Sequence, residues 1–186
     1  MIGSLLVVVS WITVGVIYGN GLEWTIHKHV LHRLGRKKGS RWGFHLRSHH
    51  KVVKKNNCVD IEHRSDWWNE EEVKAIAVVM LIHIPIYFIS PVLFFTIVTY
   101  GAGYLWIHRK AHKNHTWAKY YLPWHWDHHL GPRKCVEANW CVTFPLFDYM
   151  MRTRVPYYGT SKYYLDLAIY SSKEINRVQN ENTNKQ

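Results

Sequence analysis

Residues 75–107, AIAVVMLIHIPIYFISPVLFFTIVTYGAGYLWI, contain no Asp, Glu, Lys or Arg. As one helix, this stretch would be about 50 Å long, which exceeds the roughly 30 Å of a bilayer's hydrocarbon core. Pro85 and the pair Ser90-Pro91 lie near its middle, where proline breaks or kinks a helix. The pattern predicts a hairpin over about 73–107 that enters the membrane and returns, with or without crossing it fully. A single kinked span is the alternative.

A second apolar run, IGSLLVVVSWITVGVIYG at residues 2–19, is uncharged and about long enough for one membrane span. A secretory signal peptide is the alternative, and it would need a basic residue before the run and a small-residue cleavage site after it. No Lys or Arg precedes the run, and GLEWTIHKHVLH follows it. We therefore expect a retained span at about 2–20 and an all-α integral membrane protein.

Basic residues in the polar segments set the expected orientation. The formal net charge is +11, and residues 25–58 hold ten Lys or Arg with no Asp or Glu. By the positive-inside rule, this loop is cytoplasmic and the N-terminus lies outside. The segment after the hairpin is basic again, so a hairpin would place both segments on the cytoplasmic side. This pattern of a multi-pass protein suits a bacterial inner membrane and the endoplasmic reticulum equally.

Ten of the 14 histidines lie in four clusters just beyond the apolar segments. Helical residues three or four apart share a face, whereas adjacent residues point apart, so a His-His pair can serve two neighbouring ions. Neutral imidazole binds iron, zinc and copper alike. Ten rings are too many for one ion, whereas two ions with about five ligands each would use them all. The predicted ligands are His27, His32, His45, His49, His50, His108, His112, His125, His128 and His129.

A cationic surface for anionic lipid headgroups is the alternative explanation for histidines among Lys and Arg. It explains the charge but not the repeated spacing, so we favour a two-metal site. The other four histidines are not assigned as ligands. His63 lies in a polar loop where solvation is expected, and His83 lies inside the apolar hairpin, where a hydrogen-bonded packing role is at least as expected as a functional one.

The four ordered clusters resemble the histidine boxes of the membrane fatty acid hydroxylase superfamily, which includes sterol desaturases and carotenoid hydroxylases. EWTIHKHVLH, HLRSHHK and YLWIHRKAH resemble the first three boxes, and HWDHHLGPRKCVEANWCVTFPLFDYMMRT resembles the last box with its trailing motif. The resemblance covers roughly residues 20–153. It implies one hydroxylase-like domain over 1–171, with short transmembrane helices or a hairpin and a cytoplasmic helical cap that holds a histidine-rich di-metal site. Residues 172–186 are polar and predict a disordered tail.

The resemblance also implies an O2-dependent di-iron oxygenase that hydroxylates or desaturates an unactivated C–H bond of a lipid-like substrate. Its cofactors would be O2 and two metal ions, with iron in the active form and zinc the alternative in purified protein. Fatty acyl, sphingolipid, sterol and carotenoid substrates fit equally. We expect electrons from a separate ferredoxin or cytochrome b5-type protein that docks on the basic cytoplasmic face, and no nucleic acid partner.

Four further polar residues are candidates for orienting the metal ligands. Glu23 lies one turn before His27, and Asp127 lies inside the last cluster. A surface or capping role is as expected for these two carboxylates as a role beside the metals. Asn139 and Asp148 match the trailing motif of the resembled superfamily, and for both we favour a turn-stabilising role.

A non-catalytic His-rich membrane protein that binds or carries metal is the alternative function. A carrier would need polar residues along a path through the membrane, and apart from His83 the apolar runs offer few. The soluble carboxylate di-iron class is excluded because no paired E-x-x-H occurs, and G-x-S-x-G is also absent from the sequence. The three cysteines, an odd number on the expected reducing side, are predicted to be free thiols.

Overall fold

The computed structural model describes residues 2–60 and 71–183, and all regular elements in these ranges are helical. The α-helices are α1 (Ile2–Thr25), α2 (His50–Lys55), α3 (Glu71–Ile82), α4 (Ile84–Ile89), α5 (Pro91–Lys113), α6 (His115–Tyr121), α7 (Pro123–Leu130), α8 (Arg133–Val136), α9 (Leu146–Met150) and α10 (Ser161–Thr183). A π-helical turn, Ile26–Leu34, continues α1. A 3₁₀ turn, Arg41–Gly43, and a second π-helical turn, His45–His49, lead into α2. The all-α prediction is confirmed for the described residues.

Among the described residues, three helical stretches are long and apolar enough to cross a membrane: Gly3–Leu34, Glu71–Ile89 and Pro91–Lys113. Their large apolar side chains face outward, and Phe88, near the turn that follows Ile89, exposes 82% of its surface. Exposure of so continuous an apolar surface to water would be unfavourable, whereas lipid chains can cover it. These helices have the lengths and surfaces expected of a membrane protein.

The hairpin expected over residues 73–107 is present, and its two limbs are longer than expected. Ser90 is extended (φ −153°, ψ 108°) between α4 and α5, and its Oγ accepts a hydrogen bond from the Leu93 N–H. Pro91 follows at the first helical position, where its missing N–H costs no helical bond. Both α3 and α4 pack against α5, so the chain turns back and is not a single kinked span. Because the limbs extend to Glu71 and Lys113, each has the length needed to cross a membrane.

Two glycines one turn apart let α1 pack closely along α5. A Cβ at Gly15 would lie 2.7 Å from Thr96 Cγ2, and a Cβ at Gly19 would lie 2.6 Å from the Tyr100 ring. Carbon atoms do not approach so closely, so only glycine permits this helix spacing, as in other small-residue helix contacts in membranes. The packing brings the C-terminal ends of α1 and α5 together.

The remaining helices form a cap at the end of the bundle where α1 and α5 finish and α3 begins. Asn114 ends α5 and caps α6, because its Oδ1 accepts from the Trp117 N–H at 2.9 Å. Pro123 then starts α7 immediately after α6. Farther along, the chain returns to α1, where Asn20 Nδ2 donates to the Phe144 carbonyl at 2.8 Å. These helix ends, and the return of the chain to α1, place the histidine clusters around one end of the apolar helices.

The C-terminal segment forms the long helix α10. This helix continues to Thr183, and residues 184–186 of the tail for which disorder is predicted lie outside the described ranges. No Gly or Pro interrupts α10, and Lys162 pairs with Asp166 at 3.1 Å across one turn. The low apolar content of this segment disfavours packing into a core. Its helix propensity and ion pairs such as this one still favour a local helix.

Substitution of Gly15 by valine should push α1 away from α5, because the branched side chain would overlap Thr96. We expect the Tm in detergent to fall by about 3–10 °C, the range for overpacking in a protein of this size. Gly3→Val is the matched control, since nothing lies within 4 Å of a Cβ at Gly3. Thermal unfolding followed by circular dichroism measures both variants, and an unchanged Tm for Gly15→Val would contradict this helix packing.

Candidate metal centre

A first histidine group gathers five rings from the cap and the end of the α1 helix. Each ring offers one nitrogen, and the five nitrogens lie within 4.8 Å of one another. Four of the rings are buried, and His50 is half-buried. The members of the first group are His27, His32, His45, His50 and His128.

A second histidine group lies beside the first and consists of four buried residues, His49, His108, His112 and His129, whose ring nitrogens also lie within 4.8 Å of one another. His125 adjoins this group, because its Nε2 lies 3.1 Å from His112 Nε2 and its ring centroid lies 4.6 Å from that of His129. All ten histidines singled out in the sequence therefore lie in or against the two groups.

Each adjacent histidine pair contributes one ring to each group. His50 and His128 belong to the first group, and His49 and His129 belong to the second. This division follows because neighbouring helical side chains point in different directions, about 100° apart on an α-helix. The two groups are also in contact, since the rings of His50 and His129 have centroids 4.4 Å apart.

The two π-helical turns align histidines that an α-helix would separate. His27 and His32 are five residues apart, as are His45 and His50. Side chains five apart on an α-helix point about 140° from each other. The wider π-helical turn, with its bonds between residues five apart, removes most of this separation. The ring centroids consequently lie 5.0 Å apart in the first pair and 4.8 Å apart in the second.

The spacing of the ring nitrogens fits metal coordination. The Nε2 atoms of His27 and His45 are 2.9 Å apart, and those of His128 and His32 are 3.2 Å apart. Two nitrogens bound to one ion at about 2.0–2.1 Å would be about 2.9–3.4 Å apart at octahedral or tetrahedral angles. Within the described residues, neither ring nitrogen of buried His129 has a hydrogen-bond partner. A bound cation would satisfy such nitrogens, so the residues fit a metal centre.

Backbone carbonyls fix the orientation of three of these rings. A carbonyl only accepts hydrogen bonds, so each bonded Nδ1 carries the proton, and the Nε2 lone pair points into the group. The three bonds are His27 Nδ1 to Trp140 O (2.5 Å), His128 Nδ1 to Ala138 O (2.7 Å) and His112 Nδ1 to Cys58 O (2.9 Å).

Two carboxylates that the sequence did not single out orient the second group. Asp60 Oδ2 lies 2.8 Å from His49 Nδ1, and Glu72 Oε1 lies 2.7 Å from His108 Nδ1. The Tyr104 hydroxyl donates to the same Glu72 oxygen at 2.8 Å. Carboxylate partners of this kind hold a ligand ring in place and raise its basicity. In the sequence, the feature that could have indicated such a role for Glu72 is its position as a charged residue at the start of an apolar helix.

Asn139 and Asp148 act on the first group through the backbone. The Asp148 carboxylate accepts from the Trp140 and Cys141 N–H groups, each at 2.9 Å. Asn139 adopts φ +57°, and its Oδ1 accepts from the Val155 N–H at 2.8 Å. Both side chains stabilise the turn that presents the Ala138 carbonyl to His128 and the Trp140 carbonyl to His27, and these contacts agree with the turn-stabilising interpretation.

Glu23 and Asp127 are buried, and their described hydrogen bonds join segments of the chain rather than orienting imidazoles. The Glu23 carboxylate accepts from the Thr143 N–H at 3.0 Å and from the Tyr100 hydroxyl at 2.6 Å. Asp127 accepts from the Tyr158 N–H at 2.8 Å, and the Arg154 guanidinium lies 3.1 Å away. Burial raises the pKa of Asp127, while these hydrogen bonds and the nearby arginine oppose the rise.

Burial keeps the rings of the cap histidines neutral. The pKa of His128 lies well below its usual range because burial disfavours the charged ring and because His27 and His50 lie close by. Burial similarly lowers the pKa of four other cap histidines, His45, His50, His125 and His129. Neutral imidazole is the form that binds metal.

The other four histidines have different surroundings. His115 is exposed, and His29 packs edge-on against Trp24. His83 is buried in the hairpin, where its Nδ1 donates to the Val79 carbonyl at 2.7 Å. His63 lies outside the described residues. The three cysteines are buried, and the prediction that they are free thiols is confirmed.

An apolar cleft between α1, α3 and α5 reaches the first group. It is lined by Ile76, Met80, Ile97, Gly101 and, at the cap end, His27. Two carboxylates and two tyrosines also line it, but they bond to one another as Glu23–Tyr100 and Glu72–Tyr104. The cleft therefore presents mainly hydrocarbon surface.

No protein-family model, curated protein or solved structure matches this chain. The likeness of its clusters to those of membrane hydroxylases is consequently one of motif and order alone. The function has to be inferred from the two histidine groups, their hydrogen-bond partners and the adjoining cleft.

The double variant His128→Ala, His129→Ala removes one ring from each group. We expect about two metal ions per wild-type chain and loss of most of that metal in the variant, because both groups lose a buried ligand. His115→Ala is the matched control, since that ring is exposed and outside both groups. Elemental analysis of protein purified in detergent gives the ratios, and equal metal in all three proteins would contradict the assignment.

Proposed function

We propose that this protein is an O2-dependent membrane di-metal oxidoreductase that hydroxylates or desaturates an unactivated C–H bond of a lipid-like substrate. The observation that carries this proposal is the apolar cleft that opens among the candidate membrane helices and ends at His27. A hydrocarbon chain can enter the cleft from lipid and bring a C–H bond next to the first histidine group.

The two histidine groups would each hold one ion. Iron bound there would supply the reduction of O2 and the oxidation of the C–H bond. Hydroxylation converts RH, O2, two electrons and two protons into ROH and water. Desaturation uses the same inputs and yields an alkene and two waters. In both reactions the substrate supplies two electrons, so two more must come from a reductant.

The protein's own side chains orient the ligands and shield the cleft from water. Glu72, which lines the cleft, orients the His108 ring, and the Tyr104 hydroxyl donates to the same Glu72 oxygen. Glu23 and Tyr100 bond to each other, so neither leaves an unpaired polar group facing a hydrocarbon. Such pairing lets acidic residues line an apolar site without attracting water to it.

The orientation proposed for the protein places the cap in the cytoplasm. The basic segments that flank α1 and α5 lie at the same end of the bundle as the histidine groups, and the positive-inside rule applies to them. A metal carrier is a weaker proposal. His83, the histidine deepest in the hairpin, bonds to Tyr18 and to the Val79 carbonyl, which suits packing better than ion transfer.

The proposed reaction predicts a strict dependence on His128. Iron-loaded protein, a chemical reductant, ¹⁸O2 and a panel of lipids should yield a product that mass spectrometry detects. One ¹⁸O atom in the product would indicate hydroxylation, and loss of two hydrogens would indicate desaturation. We expect His128→Ala to reduce the product by more than about 100-fold and His115→Ala to leave it unchanged. Equal product from both variants would refute the proposal.

Gly101 should control access to the cleft. A Cβ at Gly101 would lie 3.2 Å from Met80 Cε and 3.5 Å from Ile76 Cγ2, so a leucine would displace Met80 into the cleft. We expect Gly101→Leu to lower oxidation of the lipid that the wild type accepts by about tenfold, with unchanged metal content. Gly103→Leu is the control, since a Cβ there meets nothing within 4 Å. Full activity of Gly101→Leu would show that the substrate binds elsewhere.

A further inference from the structure

We propose that the short helix α9 carries a phospholipid-binding surface, in which three apolar side chains insert between acyl chains and an arginine contacts a lipid phosphate. This α9 surface consists of Tyr149, Met150, Met151 and Arg152, all of which are exposed. It lies outside the three stretches that have the length of a membrane span. The proposal goes beyond the proposed function and does not depend on the chemistry of the histidine groups.

The polarity of this segment is the reverse of that expected for a short helix in water. Its outer side presents Tyr149, Met150 and Met151, which expose 66%, 61% and 50% of their surfaces. Its inner side carries Asp148, which is fully buried and accepts from the Trp140 and Cys141 N–H groups. Apolar side chains outside and a hydrogen-bonded carboxylate inside are favourable next to lipid, because the apolar atoms then lose contact with water.

Contacts with α1 fix the level of α9 along the bundle. A Cβ at Gly21 would lie 2.6 Å from Phe147 Cζ, and the Phe147 N–H donates to Asn20 Oδ1 at 3.0 Å. Met150 follows Phe147 by three residues on α9, so the Cα atoms of the two residues are about 5 Å apart. The α9 surface therefore lies within about one helical turn of the level of Gly21.

This level corresponds to the expected boundary between hydrocarbon and headgroups. The helix from Ile2 to Gly21 is about 29 Å long, close to the roughly 30 Å of a hydrocarbon core. The first Lys or Arg of the chain, Lys28, follows about 10 Å farther along. On α5, Tyr100 lies at the same level, since its hydroxyl accepts from Asn20 Nδ2 at 3.1 Å. The first basic residue of α5, Arg109, lies about 14 Å beyond Tyr100.

The residue types of the α9 surface suit a phospholipid. Tyrosine is favoured at membrane interfaces, and methionine is flexible and apolar. Arg152 ends the helix with φ +55°, and its N–H donates to the Tyr149 carbonyl at 3.2 Å. Arg154 pairs with Asp127 at 3.1 Å, whereas the side chain of Arg152 is exposed. A guanidinium next to inserted apolar residues can extend to the phosphates and donate paired hydrogen bonds to them.

Fluorescence quenching in phosphatidylcholine liposomes tests the position of α9. Met150→Cys is labelled with the fluorophore NBD and exposed to 5-doxyl-phosphatidylcholine in the bilayer or to iodide in the water. We expect the doxyl lipid to quench at least about half of the fluorescence and iodide less than about a tenth, because the label would lie among acyl chains. The three native cysteines are buried, so dye-treated wild type gives the background.

Lys38→Cys, at an exposed position on the turn after Leu34, is the control and should be quenched by iodide alone. Iodide quenching at residue 150 as strong as at residue 38 would overturn the proposal, because α9 would then lie in water. Shielding of residue 150 from both quenchers would also overturn it, because protein, such as a second copy of the chain, would then cover the surface.

A second variant tests the phosphate contact. In the labelled Met150→Cys protein, Arg152→Glu should reduce quenching by the doxyl lipid at least about twofold, because phosphates repel the new carboxylate. Arg133→Glu makes the same charge change at an exposed arginine of α8 and should leave the quenching unchanged. Equal quenching in both variants would refute the contact. Neither measurement needs metal, reductant or O2, so failure of the proposed function would leave both readable.

Discussion

Imidazole nitrogens that face one another at about 3 Å are the constraint on which the rest of the cap depends. His27 shows the problem most clearly, because the Trp140 carbonyl takes its Nδ1 proton and leaves the Nε2 lone pair 2.9 Å from His45 Nε2. His45 Nε2 lies at hydrogen-bond distance from that lone pair, so the two nitrogens either share a proton or face a common cation. With a cation between them, both nitrogens would be ligands, so the arrangement of the cap suits a metal ion.

The sequence predicts which histidines lie together better than it predicts how their rings are held. Residue spacing and the polarity of the flanking segments identify all ten histidines, and proline positions identify the hairpin turn at Ser90. Asp60 and Glu72 could not be assigned in this way, because each contacts a histidine that is distant in sequence or on another helix. The π-helical turns also escape a pattern search, since rules based on α-helical periodicity separate His27 from His32.

In the proposed function, one part of the molecule faces lipid and another part faces water. The apolar cleft opens among helices whose outer surfaces suit lipid, and the first histidine group adjoins its cap end. A hydrocarbon chain would then approach the proposed metal centre from the side of the candidate membrane helices. Gly15 and Gly19 let α1 and α5 pack closely, and the ends of these two helices support this arrangement.

The adjacent histidine pairs would affect how metal ions bind to the two histidine groups. His49 and His50 share one stretch of backbone but serve different groups, and so do His128 and His129. If each group binds one ion, an ion in one group would order the backbone that supplies a ring to the other. Linkage would make this effect reciprocal, so where the ordering outweighs the repulsion between the two cations, each ion would raise the affinity for its neighbour. We expect cooperative loading, in which chains carry both ions or neither and singly loaded chains are scarce.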